Sequence, residues 1–263
     1  MDGLKAETIL EVSRLSLSFG GVKALSLIDI EVRRGDIFAV IGPNGAGKTS
    51  LFNCISGVYK PQFGTIMFKG AEISSLRPHI RAKMGIGRTF QHVELFRGMT
   101  VLDNIKLGRH HHIRGGFLGS VFRVGRALAE ELDGRRYLEE EVLDFLDLSA
   151  VRWAPVGLLP QGLQKRVDLG RALALEPEML LMDEPMAGMS TEEKEEMASF
   201  MMDVHRDLGV TIIWIEHDLK TVMDISSQVC VLNFGQKIAE GSFHDIRSHR
   251  AVKEAYLGLE EEQ

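Results

Sequence analysis

Gly42-Pro43-Asn44-Gly45-Ala46-Gly47-Lys48-Thr49 is the stretch whose reading decides the fold, with Ser50 leading it into the next element. The octapeptide fits the spacing G-x-x-x-x-G-K-[ST], and its flanks fit as well. Before it, Ile37-Phe38-Ala39-Val40-Ile41 is a short apolar run suited to a buried strand. After it, Ser50 to Ser56 spaces its apolar residues as a helix does, and Gly57 ends that helix. A strand, a glycine turn and a helix start together make an anion site. Gly45 and Gly47 let the backbone curl so that successive N–H groups face phosphate oxygens. The helix dipole adds partial positive charge, Lys48 a full charge for the terminal phosphates, and the Thr49 hydroxyl a ligand for Mg²⁺. A chance match at the four fixed positions arises in roughly one chain in a hundred of this size. The strand and helix around the motif lower that further.

Outward from this loop, four near-continuous apolar runs recur: Ile37–Ile41, Met179–Met182, Val210–Ile215 and Val229–Leu232. Helical patterns connect several of them, which is how a parallel sheet covered on both faces reads. Residues 9–33 differ. Val12, Leu15, Leu17 and Phe19, then Ile28, Ile30 and Val32, alternate with polar residues, so two antiparallel, half-exposed strands are expected with a bend at Phe19-Gly20-Gly21. Ile66 and Phe68 mark a further alternating strand, and Gly85 to Gln91 a short extended piece. Residues 102–107, 125–148 and 162–175 look helical; Leu138, Val142, Phe145 and Leu146 form one apolar stripe. His110-His111-His112 reads as a solvated loop, since three adjacent histidines cannot all face one metal. The expected fold is α/β: a P-loop NTPase core with a mostly parallel sheet (1–91 and 176–263), an N-terminal antiparallel β group, and an inserted helical subdomain (92–175).

The chain has 263 residues, 44% of them hydrophobic and 26% charged, as in ordinary globular proteins. A net charge of −6 and a pI near 5.9 give no support to nucleic acid as the main partner. Cys54 and Cys230 fall in predicted core elements without metal spacing, which points to a reduced, cytosolic chain. No apolar run approaches the roughly 20 residues of a membrane span, and Met1 to Lys5 is no signal peptide. Work at a membrane would then go through a partner, from the cytosolic side.

Strand ends carry the remaining chemistry. Asp183-Glu184 close the run Met179–Met182 at the edge where open α/β sheets bind ligands. Asp183 can hold Mg²⁺, and Glu184 can deprotonate a water for attack on a γ-phosphate. His217 follows another apolar run in the same way and can hydrogen-bond that phosphate; the amide of Gln91 can reach metal or water. Phe19, on a bend beside the site, can stack on a base, although by pattern alone it reads as a strand-end core residue. Ser190 with Glu193 forms a capping box for a helix over 191–207.

The phosphate loop, Gln91, the glycine-containing helix start before Arg166, Asp183-Glu184-Pro185 and Glu216-His217-Asp218 occur in an order that resembles the ATPase subunit of an ABC transporter across essentially the whole chain. Arg88-Thr89-Phe90-Gln91, Leu95 to Asn104 and Ala255-Tyr256-Leu257-Gly258 resemble the branched-chain amino acid importer group. The resemblance implies that Phe19 stacks on the base with Ala24 beside it, that Gln91 senses γ-phosphate and faces a membrane subunit, and that His217 is a switch histidine. It also implies work in pairs, each ATP held between one subunit's phosphate loop and the other's signature segment. Here that segment is Leu159-Pro160-Gln161-Gly162-Leu163-Gln164, in which Pro160, Gln161 and Leu163 depart from Leu-Ser-Gly-Gly-Gln. Expected partners are a second ABC ATPase subunit, integral membrane permeases and, indirectly, a substrate-binding protein, at the cytoplasmic face of the membrane. The alternatives are a soluble ABC-type ATPase of regulation or DNA maintenance, and a weakly hydrolysing member of an asymmetric pair. A small-molecule kinase leaves His217 and the helical insert unexplained.

Overall fold

The computed structural model describes residues 7–91, 93–109 and 141–257. The N-terminal part forms a four-stranded antiparallel sheet in the order β2-β1-β4-β5, from β1 (Thr8–Phe19), β2 (Val22–Arg33), β4 (Phe63–Phe68) and β5 (Ala71–Glu72). Period-2 side chains explain it: Val12, Leu15, Leu17, Ile28, Ile30 and Val32 are all buried, while Glu11, Asp29 and Glu31 face water.

The second sheet has six strands in the order β10-β9-β3-β8-β7-β6. They are β3 (Ile37–Ile41), β6 (Ile86–Arg88), β7 (Met179–Asp183), β8 (Thr211–Ile215), β9 (Gln228–Asn233) and β10 (Gln236–Gly241). β9, β3, β8, β7 and β6 run parallel, and β10 returns antiparallel along β9. Every residue of β3, β7 and β8 is buried because both faces are covered. Ile37, Ala39 and Ile41 face one core with Leu180, Met182, Ile212 and Trp214. Phe38 and Val40 face a second core shared with β1, β2 and helix α1 (Lys48–Ser56).

Between β6 and β7 the described residues hold helices: α3 (Val101–Gly108), with Thr100 accepting from the Asp103 N–H, and α4 (Gln161–Leu173). The short α2 (Pro78–Lys83) precedes β6. The expected helix over 125–148 and the loop at His110–His112 lie mostly outside the described residues. The capping box predicted for Ser190 and Glu193 is formed, starting α5 (Thr191–Leu208). The C-terminal region adds α6 (Leu219–Ile225), α7 (Phe243–Ser248) and α8 (Arg250–Leu257), none of them expected from sequence. Six to eight residues give too few turns for a 3.6-residue period to register. No helix among the described residues is long and apolar enough to cross a membrane.

Candidate active site

The phosphate loop joins the carboxyl end of β3 to α1, near the middle of the parallel sheet. Two of its glycines, Gly42 and Gly47, are demanded by close approach. Gly42 has φ of +146°, and a Cβ there would stand 2.1 Å from the Leu232 carbonyl oxygen. At Gly47, φ of +102°, a Cβ would stand 2.5 Å from the Ala24 oxygen, so the Ala24 carbonyl lies against the loop. Asn44, Gly45 and Thr49 are exposed, Pro43 and Ser50 half-buried, Ala46 buried. Gly47 is the N-cap of α1 and offers no side-chain cap, so the first amides of the helix face the loop's concavity. Lys48 Nζ donates to the carbonyls of Gly42 (2.7 Å) and Pro43 (3.0 Å), and burial lowers its pKa against the opposing pull of Glu184 and Asp183.

Phe19 is a correction to the pattern-based reading. It is 48% exposed, outside both cores, and meets the Tyr59 ring edge-on at 5.2 Å between centroids. A core role is excluded, and about half of its surface is open to solvent.

Asp183, Glu184, Gln91 and His217, drawn from three strand ends, come together. Glu184 Oε2 accepts from Gln91 Nε2 at 2.8 Å, and Oε1 lies 2.7 Å from His217 Nε2. Its backbone is strained, with φ of +48° in a non-glycine residue. That conformation is held at both ends: the Glu184 N–H donates to Ile215 O at 3.1 Å, and the carbonyl accepts from Lys165 Nζ at 2.9 Å. Lys165 is buried on α4, where desolvation lowers its pKa against the charges of Glu216, Glu184 and Asp168. Asp183 is only 2% exposed; burial raises its pKa, and Arg88, 3.6 Å away, counters this most. Its Oδ1 is buried without a hydrogen-bond partner among the described residues.

The segment expected to serve as the signature starts α4. Pro160 is its N-cap, again without a side-chain cap. Gln164 turns back to its own chain, Nε2 donating to the Leu159 carbonyl at 2.8 Å. Gln161 packs at Gly188, and a Cβ on Gly162 would stand 2.3 Å from Glu193 Oε1. The capping carboxylate of α5 therefore sits against Gly162.

The sequence gives three further contributors no role at the site, although Arg88 and Tyr256 lie in segments that carry the importer resemblance. Lys165 and Arg88 look like surface cations, and nothing local marks them as buried partners of Glu184 and Asp183. Tyr256 on α8 receives a hydrogen bond from the Gly42 backbone, and burial pushes its phenol up to about 12.

Comparison with known proteins gives the family. The family model for the ABC transporter matches residues 25–187, and that for the branched-chain amino acid ATP-binding cassette transporter matches residues 236–262. The high-affinity branched-chain amino acid transport ATP-binding protein BraF of Pseudomonas aeruginosa is 37% identical over 255 residues, covering 95% of this chain and 98% of its own. The corresponding protein LivG of Escherichia coli is 36% identical over 258 residues, covering 96% and 99%. Among solved structures, the ADP conformation of MJ1267, an ATP-binding cassette of an ABC transporter, superposes with a TM-score of 0.83 at 33% identity, covering 96% of this chain and all 100% of that one. With the phosphate loop, the strand-end acids and the histidine in one place, and relatives matched from end to end, the chain belongs to the ABC transporter family of ATP-binding subunits.

Proposed function

We propose that this chain hydrolyses ATP to drive uptake of branched-chain amino acids or similar small solutes through partner permeases. The observation that carries the reading is Glu184, whose carboxylate is gripped by Gln91 and His217 near the phosphate loop and its buried Lys48. ATP lies along the loop 42–50, with Phe19 against the base and Ala24 beside it. Lys48 exchanges its two loop carbonyls for terminal phosphate oxygens, a change from neutral to charge-assisted partners. Glu184 takes a proton from the attacking water, Gln91 and His217 keep the carboxylate aimed, and His217 reaches the γ-phosphate.

The donor set fits Mg²⁺. Thr49 offers an exposed hydroxyl at the start of α1, Asp183 a buried and otherwise unpartnered Oδ1, and the Gln91 amide stands next to Glu184. These residues would hold the ion, whose charge offsets that of the terminal phosphates.

Residues 92–175 form the helical subdomain in this reading, and the permeases dock on its surface around Gln91–Asn104, where Phe90 and Phe96 are exposed. A second ABC ATPase subunit completes each ATP site with its own signature segment, as Pro160, Gln161, Gly162 and Gln164 do for the partner. A substrate-binding protein delivers solute on the far side of the membrane. Two features favour a second reading, a weakly hydrolysing member of an asymmetric pair: Gln164 is bonded to its own helix start, and Glu193 puts negative charge at Gly162.

The test is Glu184→Gln in the assembled transporter. It should retain ATP while turnover falls by about 10² to 10⁴. Full turnover would remove Glu184 from the chemistry. Turnover by wild-type protein that never co-purifies with integral membrane proteins would favour a soluble ATPase instead.

A further inference from the structure

Arg88 is a buried cation that the hydrolytic scheme leaves unused. Its side chain is 10% exposed at the end of the edge strand β6. One guanidinium nitrogen, Nη1, donates to Asn53 Oδ1 at 2.8 Å and Ser56 Oγ at 2.6 Å, both on α1. The other, Nη2, stands 3.6 Å from Asp183 Oδ2. The Phe90 ring covers the group at 5.0 Å from its centroid. Strand register explains the reach. Arg88 pairs with Leu181 across the parallel ladder, and Asp183 lies two residues further along β7, on the same face as Leu181. Helix α1 packs against that face.

The two carboxylate oxygens of Asp183 are thereby distinguished. Oδ2 is turned to Arg88, while Oδ1 is buried and has no partner among the described residues. A guanidinium is planar, permanently charged and held here by two α1 side chains, so it fixes the carboxylate's rotation as a mobile ammonium would not. We infer that Arg88 is a positioning residue for the metal site, pinning Asp183 Oδ2 to the phosphate-loop helix so that Oδ1 alone is presented to the divalent ion of the bound nucleotide. Partners that orient a metal ligand from behind commonly set affinity by 10- to 100-fold. The inference rests on the reading of Asp183 as the metal-holding carboxylate, and the experiment separates the two.

Full-length protein is loaded with a non-hydrolysable ATP analogue, and Mn²⁺ affinity is read by electron paramagnetic resonance. Nucleotide affinity in excess EDTA is read in parallel. Arg88→Met should weaken Mn²⁺ binding by about 10-fold or more and leave metal-free nucleotide affinity within about twofold. Asp183→Asn should weaken Mn²⁺ at least as much, and the double variant no further than Asp183→Asn alone, because Arg88 acts only through that carboxylate. Asn53→Ala keeps the charge but removes one anchor, and should lower Mn²⁺ affinity several-fold in the same direction. This milder variant decides the matter should Arg88→Met fail to fold. Unchanged Mn²⁺ affinity in Arg88→Met or Asn53→Ala, with Asp183→Asn impaired, overturns the role of Arg88 alone. Equal losses with and without metal overturn it too, since they mark a general collapse of the loop. Unchanged Mn²⁺ affinity in Asp183→Asn overturns the metal reading itself.

Discussion

Arg81 on α2 is 1% exposed, among the most deeply buried side chains of the described residues, and its guanidinium hydrogen-bonds to four backbone carbonyls. Nη1 donates to Cys54 O at 2.6 Å and Ile55 O at 2.7 Å, in the last turn of α1; Nε donates to Leu76 O at 3.0 Å and Nη2 to Ser74 O at 3.1 Å. The guanidinium thus closes the carboxyl end of the helix whose amino end holds the phosphate loop, where a cation also meets the negative pole of the helix dipole. Arg81→Met keeps most of the apolar stem and removes four hydrogen bonds. At about 1 kcal/mol net for each bond, the loss is about 4 kcal/mol, a large share of the 5 to 15 kcal/mol typical of a domain. Urea denaturation followed by the fluorescence of Trp214, buried in β8, reads it out. With a slope of about 3 kcal/mol per molar urea, the midpoint should fall by roughly 1 to 1.5 M. Lys83→Met, an exposed position on the same helix, should stay within about 0.5 kcal/mol of wild type. A loss below about 1 kcal/mol in Arg81→Met would show that water or neighbouring donors replace the guanidinium, and the capping argument would fall.

Three further outcomes are expected. Gly42→Ala must push the Leu232 carbonyl aside and adopt an unfavourable φ, so equilibrium binding should show ATP affinity reduced by at least about 10-fold; near-normal affinity would mean the loop is more pliant than its packing implies. Lys165→Met removes the ammonium that holds the Glu184 carbonyl, and should lower the ATPase turnover number more than it weakens ATP binding, with a proportional loss in both counting against a role through Glu184. Burial pushes the Cys54 thiol from an ordinary 9.0 up to about 11, so its neutral form is favoured in the folded state. The contribution to stability is fully present below pH 9.0 and is lost as pH rises towards about 11. Native protein at pH 8 should resist thiol-specific reagents, and Cys54→Ala should flatten part of the alkaline decline in stability; rapid modification of the native protein would contradict this burial.

Local sequence determined a great deal here, because the informative features act over a few residues. The run Ile37–Ile41, the glycines after it and the helix pattern to Ser56 are one continuous stretch, so anion chemistry at Lys48 was legible without any tertiary contact. The same holds for the period-2 strands β1 and β2 and for the Ser190–Glu193 capping box. Asp183, Glu184 and His217 could be placed at strand ends, since an apolar run finishing in polar residues marks where the chain leaves the sheet.

What only the tertiary structure decided are the partnerships between distant segments. Arg88 and Lys165 are cations in polar surroundings by sequence, and become buried clamps on Asp183 and Glu184 through sheet order and helix packing. Phe19 carries the same alternating signature as its buried neighbours, yet it ends exposed because the covered face stops short of the strand's tip. Which carboxylate oxygen of Asp183 is left without a partner among the described residues, and how the left-handed backbone of Glu184 is held, depend on contacts about 20 to 95 residues apart in the chain. Periodicity reports the environment of a side chain, polar or apolar; it carries no term for the identity of the partner that the fold brings to meet it.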